Sequence, residues 1–360
     1  MKKNFDEKIY EQINTLNKAI ENNPQDIWSY INLGYSLSRI EKYKEAIAAY
    51  EQAIALDPSL YLAHYGLGYV HFKRKHFEQA INCFNHAIES NPGYVQAHYR
   101  MGYIFSELER YEEALFHLHQ VVNLEERHAK GHFCLGKVYN ALNRWDDAII
   151  ALEKAIGLNN KFEFAWYQLG LAHKGKGDFY KALETFDNAL KINPRLEYIY
   201  DHLGRVYLKL RQHQKAIEMH KKATEIAPKL AYLWKNLGVA YLKNGEYLQA
   251  IDELQQALKI SPHNGTVYYY IACSYLAMGS DDLARKHFEI TLKYLPEHEQ
   301  TRKKLALLDS KKQAGAEATP EIINSPGAVE TAVLSETSFE EQLIRLKKAW
   351  ASKSPEEKKR

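Results

Sequence analysis

Apolar and polar positions follow two rhythms along this chain. From Ile27 onward, apolar or aromatic side chains recur three and four residues apart, stop at a short polar turn, and then recur at the same spacing. Each run is the stripe of an amphipathic helix, so the pattern predicts helices in pairs. The pair itself repeats. Laid out from Ile27, the chain falls into eight repeats of 34 residues without insertion or deletion: 27–60, 61–94, 95–128, 129–162, 163–196, 197–230, 231–264 and 265–298. AHYGLGYV at 63–70 accordingly returns as AHYRMGYI at 97–104.

Apolar or aromatic residues recur at positions 4, 7 and 11, then at 20, 24 and 27. Position 8 is Gly34, Gly68, Gly102, Gly136, Gly170, Gly204 and Gly238, then Ala272. Position 20 is alanine throughout: Ala46, Ala80, Ala114, Ala148, Ala182, Ala216, Ala250 and Ala284. These small residues remove bulk where the two helices of a pair must approach. Polar turns such as KGKGD (174–178) and KNGEY (243–247) separate the helices. Proline at position 32 ends the second helix in six repeats: Pro58, Pro92, Pro194, Pro228, Pro262 and Pro296. One such pair cannot bury its apolar face alone, whereas stacked pairs share a continuous core; an all-α solenoid is the expected fold.

The pattern resembles the tetratricopeptide repeat (TPR) family. The fifth repeat carries the resemblance most fully, with Trp166, Leu169, Gly170, Ala182, Phe186, Ala189 and Pro194 at family positions. The resemblance implies a right-handed α-solenoid of antiparallel helix pairs that acts as a non-enzymatic protein-interaction adaptor without a cofactor. It covers 27–298 directly. It extends to an N-terminal half repeat or cap over 1–26, where Leu16, Ala19 and Pro24 fall in phase, and to a capping helix over 299–313, where Leu305 and Ala306 do.

In this family the first helix of each pair lines the concave groove, mainly through positions 2, 5, 9, 12 and 13. Applied residue by residue, the carry-over gives a candidate peptide-binding set of Tyr35, Tyr65, Tyr69, Phe72, Tyr99, Tyr103, Phe133, Lys137, Tyr167, Lys174, Arg205 and Lys235. A contiguous aromatic surface marks a binding site, and tyrosine offers contact area plus a hydroxyl at low entropic cost. The same tyrosines could instead pack between helices, and the sequence leaves both readings open. Charge is uneven on this stripe. Arg39, Lys73, Lys130, Lys137, Lys174, Arg205, Lys209, Lys235 and Lys243 face only Glu107 and Asp201. The expected partners are extended or helical peptide segments of other proteins with acidic character. One sub-family grips a C-terminal carboxylate with Lys at position 5 and Asn at position 9 of its first repeat. Ile31 and Tyr35 stand there, and Lys235 is followed by Val239, so that clamp does not carry over. Nor does an asparagine ladder at position 6, where Asn32 and Asn236 flank Gly66, Arg100, Cys134, Gln168, His202 and Tyr270. The alternative function is a homo-oligomeric scaffold assembled through the solenoid ends or the tail.

Composition narrows the classes. The 360 residues are 46% apolar and 26% charged with a net charge of +3, too small to argue for nucleic acid. Acidic residues over the second helices weigh against it too. Cys83, Cys134 and Cys273 are odd in number and far apart, which predicts a reducing compartment and no disulfide frame or zinc ribbon. MKKNFDEKIYEQ has no apolar run after its positive end, and no segment is apolar enough to span a membrane, so a cytoplasmic address is expected. Among the sixteen histidines, His64, His98 and His132 take position 4, His71 and His173 position 11 and His220 position 24. These are packing positions, which predicts structural histidines rather than a metal site. YGLGYV lacks phosphate-loop spacing, and no nucleophile elbow or HExxH occurs. An enzyme is not expected.

Residues 314–337 break the period with small residues and prolines and read as a flexible linker. The end, 338–360, reads as an amphipathic helix with a basic finish. Ser338 and Glu341 form a capping-box pattern, and Phe339, Leu343, Leu346 and Trp350 make one apolar stripe.

Overall fold

The computed structural model describes residues 2–317, with side chains over 7–311. Among the described residues there are eighteen α-helices and no strands. They begin with α1 (Lys2–Asn22) and then follow the 34-residue register. The first helices of the repeats are α2 (Ile27–Arg39), α4 (Tyr61–Lys73), α6 (Val95–Glu107), α8 (Ala129–Ala141), α10 (Glu163–Lys176), α12 (Glu197–Lys209), α14 (Ala231–Asn244) and α16 (Gly265–Ala277). The second helices are α3 (Tyr43–Leu56), α5 (Phe77–Ser90), α7 (Tyr111–Leu124), α9 (Trp145–Leu158), α11 (Phe179–Ile192), α13 (His213–Ile226), α15 (Tyr247–Ile260) and α17 (Asp281–Tyr294). The described residues form two compact units, one up to residue 192 with α1–α11 and one from residue 193 with α12–α17 and a closing α18 (Glu299–Glu317).

Every helix pair turns at the same place. Position 15 has positive φ in each repeat: Glu41, Lys75, Glu109, Asn143, Gly177, Arg211, Gly245 and Gly279. Five of these are not glycine, so the tight turn is imposed by helix packing rather than by local preference. The small residues act as the sequence indicates. All eight position-20 alanines are fully buried. A Cβ at Gly170 would lie 2.4 Å from Phe186, and one at Gly68 2.8 Å from Phe84, so the position-24 side chain of the second helix sits directly on the first helix.

Position 4 has a role beyond packing. His64 Nε2, His98 Nε2, His132 Nε2, Trp166 Nε1, Tyr200 Oη, Trp234 Nε1 and Tyr268 Oη each donate to the carbonyl six residues earlier, at position 32 of the preceding repeat, over 2.8–3.3 Å. Because a carbonyl only accepts, the three histidines carry their proton on Nε2. They pin one repeat to the next, which is why only aromatic residues with an N–H or O–H stand there.

One expected boundary shifts. Helix α18 runs to Glu317, so the capping helix is longer than 299–313 and the start of the expected 314–337 linker is helical. At the N-terminus α1 begins at Lys2 and buries Ile9 and Ile13 against Leu37, Tyr50 and their neighbours; Leu16 and Ala19 are only half-buried. The remaining linker and the tail stripe of Phe339, Leu343, Leu346 and Trp350 lie outside the described residues.

Candidate peptide-binding cleft

In the first compact unit, α2, α4 and α6 bring positions 5, 6, 9 and 13 of three repeats together. A cleft of about 540 Å³ opens there. Ile31, Asn32, Tyr35, Ser38, Arg39, Glu41, Tyr43, Tyr50, Leu62, Tyr65, Gly66, Tyr69, Lys73, Tyr94 and Arg100 line it. Of the residues expected from sequence, Tyr35, Tyr65 and Tyr69 are in the lining. Tyr35 is 54% exposed, with the Arg39 guanidinium 5.6 Å from its ring centre. Tyr65 and Tyr69 are stacked 6.5 Å apart. Tyr65 also packs edge-on against Tyr94 at 5.1 Å and touches Phe84 at 5.5 Å. It therefore has one edge against the core and another in the lining of the cleft.

Arg100, at position 6 of the third repeat, was outside the expected set. Its guanidinium carbon lies 5.1 Å from the ring centre of Tyr69, 5.2 Å from that of Phe72 and 5.7 Å from that of Tyr99. Phe72 and Tyr99 thus serve the cleft indirectly, by caging this cation. Tyr103 stands behind them, edge-on to Phe72 at 5.7 Å.

The floor was not foreseen either. Tyr50, from the second helix of the first repeat, lies between two glycines: a Cβ would come within 2.9 Å of its ring at Gly34 and 2.3 Å at Gly66. Burial first, and the surrounding tyrosines second, push the Tyr50 hydroxyl well above the usual tyrosine range. Burial likewise pushes Tyr94 up to about 12. Both are protonated donors at neutral pH.

The other expected residues are placed elsewhere. Phe133 packs on Phe162 at 4.7 Å and Tyr167 on Phe186 at 6.1 Å. Lys137 is ion-paired with Glu107 at 2.7 Å, so each neutralises the other. Lys174 is on α10, away from the cleft. Arg205 and Lys235 belong to the second compact unit, where Arg205 lies 4.0 Å from Asp201. Asp201 itself, expected as an acidic surface residue, is 4% exposed. Asn236 donates to it at 2.7 Å and His220 Nδ1 lies 3.3 Å away. Burial opposes its charge, but these two neighbours outweigh burial and hold its carboxyl below the ordinary range.

The histidines are structural where they are buried. His98 gives its Nε2 proton to Pro92, so its Nδ1 accepts from His117 Nδ1 at 3.0 Å. Burial, and then the neighbouring His98, push His117 down to about 4. No described helix is long and apolar enough to cross a membrane.

Helix pairs of constant length, stacked by small-on-bulky contacts and presenting first-helix side chains to a cleft, define a protein-interaction scaffold of helical repeats. The chain belongs to the tetratricopeptide repeat family: residues 15–48, 39–75, 61–94, 83–116, 129–162, 162–229, 231–264 and 266–298 match models described as tetratricopeptide repeat or TPR repeat. No curated protein matches the chain. Among solved structures, YrrB, described as a TPR protein with an unusual peptide-binding site, is 29% identical, covering 50% of this chain and 92% of its own, with a TM-score of 0.46. A tetratricopeptide repeat protein from Parabacteroides merdae is 17% identical over 69% of this chain and 99% of its own, with a TM-score of 0.52. A chain of the APC/C hetero-tetramer Cut9–Hcn1 is 19% identical over 82% of this chain and 58% of its own, also at 0.52. The last two share the fold.

Proposed function

We propose that this protein is a non-catalytic, cytoplasmic adaptor that captures a peptide segment of a partner protein in the cleft of its first three repeats. The observation that carries this reading is the cleft itself, a concave surface whose walls are tyrosines and whose rim is cationic. Rigid rings give contact area with few rotamers to freeze. Arg39, Lys73 and Arg100 raise the local concentration of acidic partners and speed encounter. The test needs a variant that spares the core. Tyr65 and Tyr99 pack inward, so removing them would confuse folding with binding. Tyr35→Ala combined with Lys73→Ala touches only exposed side chains. Affinity capture with wild type and this double variant should lose a defined set of proteins; identical sets would reject the cleft as the binding surface.

A second reading, self-assembly, draws on Phe116 and Ile150. Both are 59% exposed at position 22 of adjacent repeats. A sedimentation coefficient that rises with protein concentration, and ceases to do so in Phe116→Ser, would favour it over a monomeric adaptor.

A further inference from the structure

Position 6 bears a side chain in every repeat but the second, where Gly66 stands. A Cβ there would lie 2.3 Å from Tyr50 Cε1 and 2.8 Å from its hydroxyl oxygen. Through that gap a second-helix tyrosine reaches the first-helix surface and floors the cleft. One repeat later the same position is Arg100. Its Nε is buried without a hydrogen-bond partner, and its guanidinium is held by three rings rather than by an acid. Among the described residues no carboxylate comes within ion-pair distance of Arg100 or Lys73. Glu41 is the acidic residue of the lining.

We infer that the cleft is a socket for two neighbouring side chains of the bound segment, one aromatic and one a carboxylate from Asp or Glu. The inference rests on the peptide-capture reading above and names what that site selects. The aromatic ring fills the space over Gly66, against Tyr65, Leu62 and Tyr35, with the Tyr50 hydroxyl beneath it. The carboxylate pairs with Arg100 and Lys73. Neither half suffices alone. A ring without an acid covers a cation and leaves it dehydrated and unpaired, which is costly. An acid without a ring leaves Tyr35 and Leu62 in water. Charge complementarity selects the acid: Arg39, Lys73 and Arg100 surround the cavity against Glu41. The acid comes from a side chain within the segment rather than from its end. The lining runs over three repeats, from Ile31 and Tyr35 through Leu62 and Tyr69 to Arg100, so the chain has contacts to make on both sides of the anchored residue.

The probe is an array of amidated Gly–Ser peptides carrying every pair of natural residues at two adjacent central positions, overlaid with the full chain. Wild type should bind best where Phe, Tyr or Trp stands beside Asp or Glu, by about tenfold over the matching Lys pairs. Arg100→Gln should keep the aromatic preference and lose the acidic one. Lys73→Gln, at an exposed position that cannot unfold the chain, should weaken the acidic preference in the same direction. Binding without an acidic preference, or an unchanged preference in both variants, overturns the inference while leaving peptide capture standing. A second array ending in a free carboxylate after the aromatic residue should bind no better than the internal pair; tighter binding there also overturns it. If no peptide on either array binds, peptide capture falls and this inference with it.

Discussion

The first three repeats and the sixth put unlike chemistry into the same positions. In the first repeat Tyr50 fills position 24, and position 6 is Gly66 in the second repeat and Arg100 in the third. Around Asp201, a fully buried histidine fills position 24, and the position-6 residue of the next repeat, Asn236, turns inward to bond it. In the sixth repeat the polar groups face one another and close the surface. In the first three, the cation meets only rings, and a cleft stays open. One backbone register thus builds either a buried cluster in which a carboxylate meets an amide and an imidazole, or an open cleft in which a cation meets rings.

The largest expected effect breaks the buried cluster. Asp201→Ala leaves Asn236 without its acceptor and the buried His220 without the carboxylate beside it, so it should cost about 3 kcal/mol, read as a fall in the thermal midpoint. Arg100→Gln should cost less than about 1 kcal/mol, since it removes ring contacts and leaves no buried acid behind. Equal losses would show that the two regions are built alike. Between these lies Gly66→Ala. The added methyl must displace the Tyr50 ring, at about 1–3 kcal/mol, and it narrows the cleft as well. Loss of stability without loss of peptide binding would separate the floor from the site.

Acid should act mainly through the buried histidines. Burial lowers the pKa of His98, His117, His173 and His287. The unfolded chain, with histidines near their ordinary value of about 6.5, therefore binds more protons than the folded one as pH falls. Stability should be full above that value and decline between about 6.5 and 4, the folded value of His117. That residue alone accounts for about 1–3 kcal/mol, because it keeps partial contact with solvent. Asp201 adds a further loss below its unfolded value, where its favoured carboxylate is titrated away. His117→Phe should flatten the midpoint between pH 7 and 5; an unchanged slope would place the acid sensitivity elsewhere. The smallest effect concerns the turns. Gly177→Ala forces a side chain into positive φ and should cost about 1 kcal/mol, no more, since Glu41 and Lys75 already tolerate that conformation.

Much of the fold was readable because the repeat is a packing rule written eight times. Gly170 and Ala182 mark where helices meet, and the structure finds Phe186 against the first and no solvent on the second. The position-4 bonds were legible too, had the shared N–H or O–H of His64, Trp166 and Tyr200 been weighed beside their size. The site was legible only in part. Tyr35, Tyr65 and Tyr69 fall on the expected stripe. Arg100 lies off it and reaches the cleft because three rings carry its guanidinium there. Gly66 matters only because Tyr50, sixteen positions earlier, crosses beneath it. Asp201 sits on the stripe yet is buried, because His220 and Asn236 from neighbouring helices draw it in. A stripe on one helix does not report what another helix will place against it.

The most direct measurement of the central claim is site-specific cross-linking in cells. A p-benzoylphenylalanine in place of Tyr35 reports on the cleft, and one in place of Phe116 reports on a second-helix surface. The account predicts a discrete partner adduct from position 35 that disappears when Lys73→Ala and Arg100→Gln are added, and none from position 116. An adduct from 116 alone, or one at 35 that is indifferent to both cations, would contradict it.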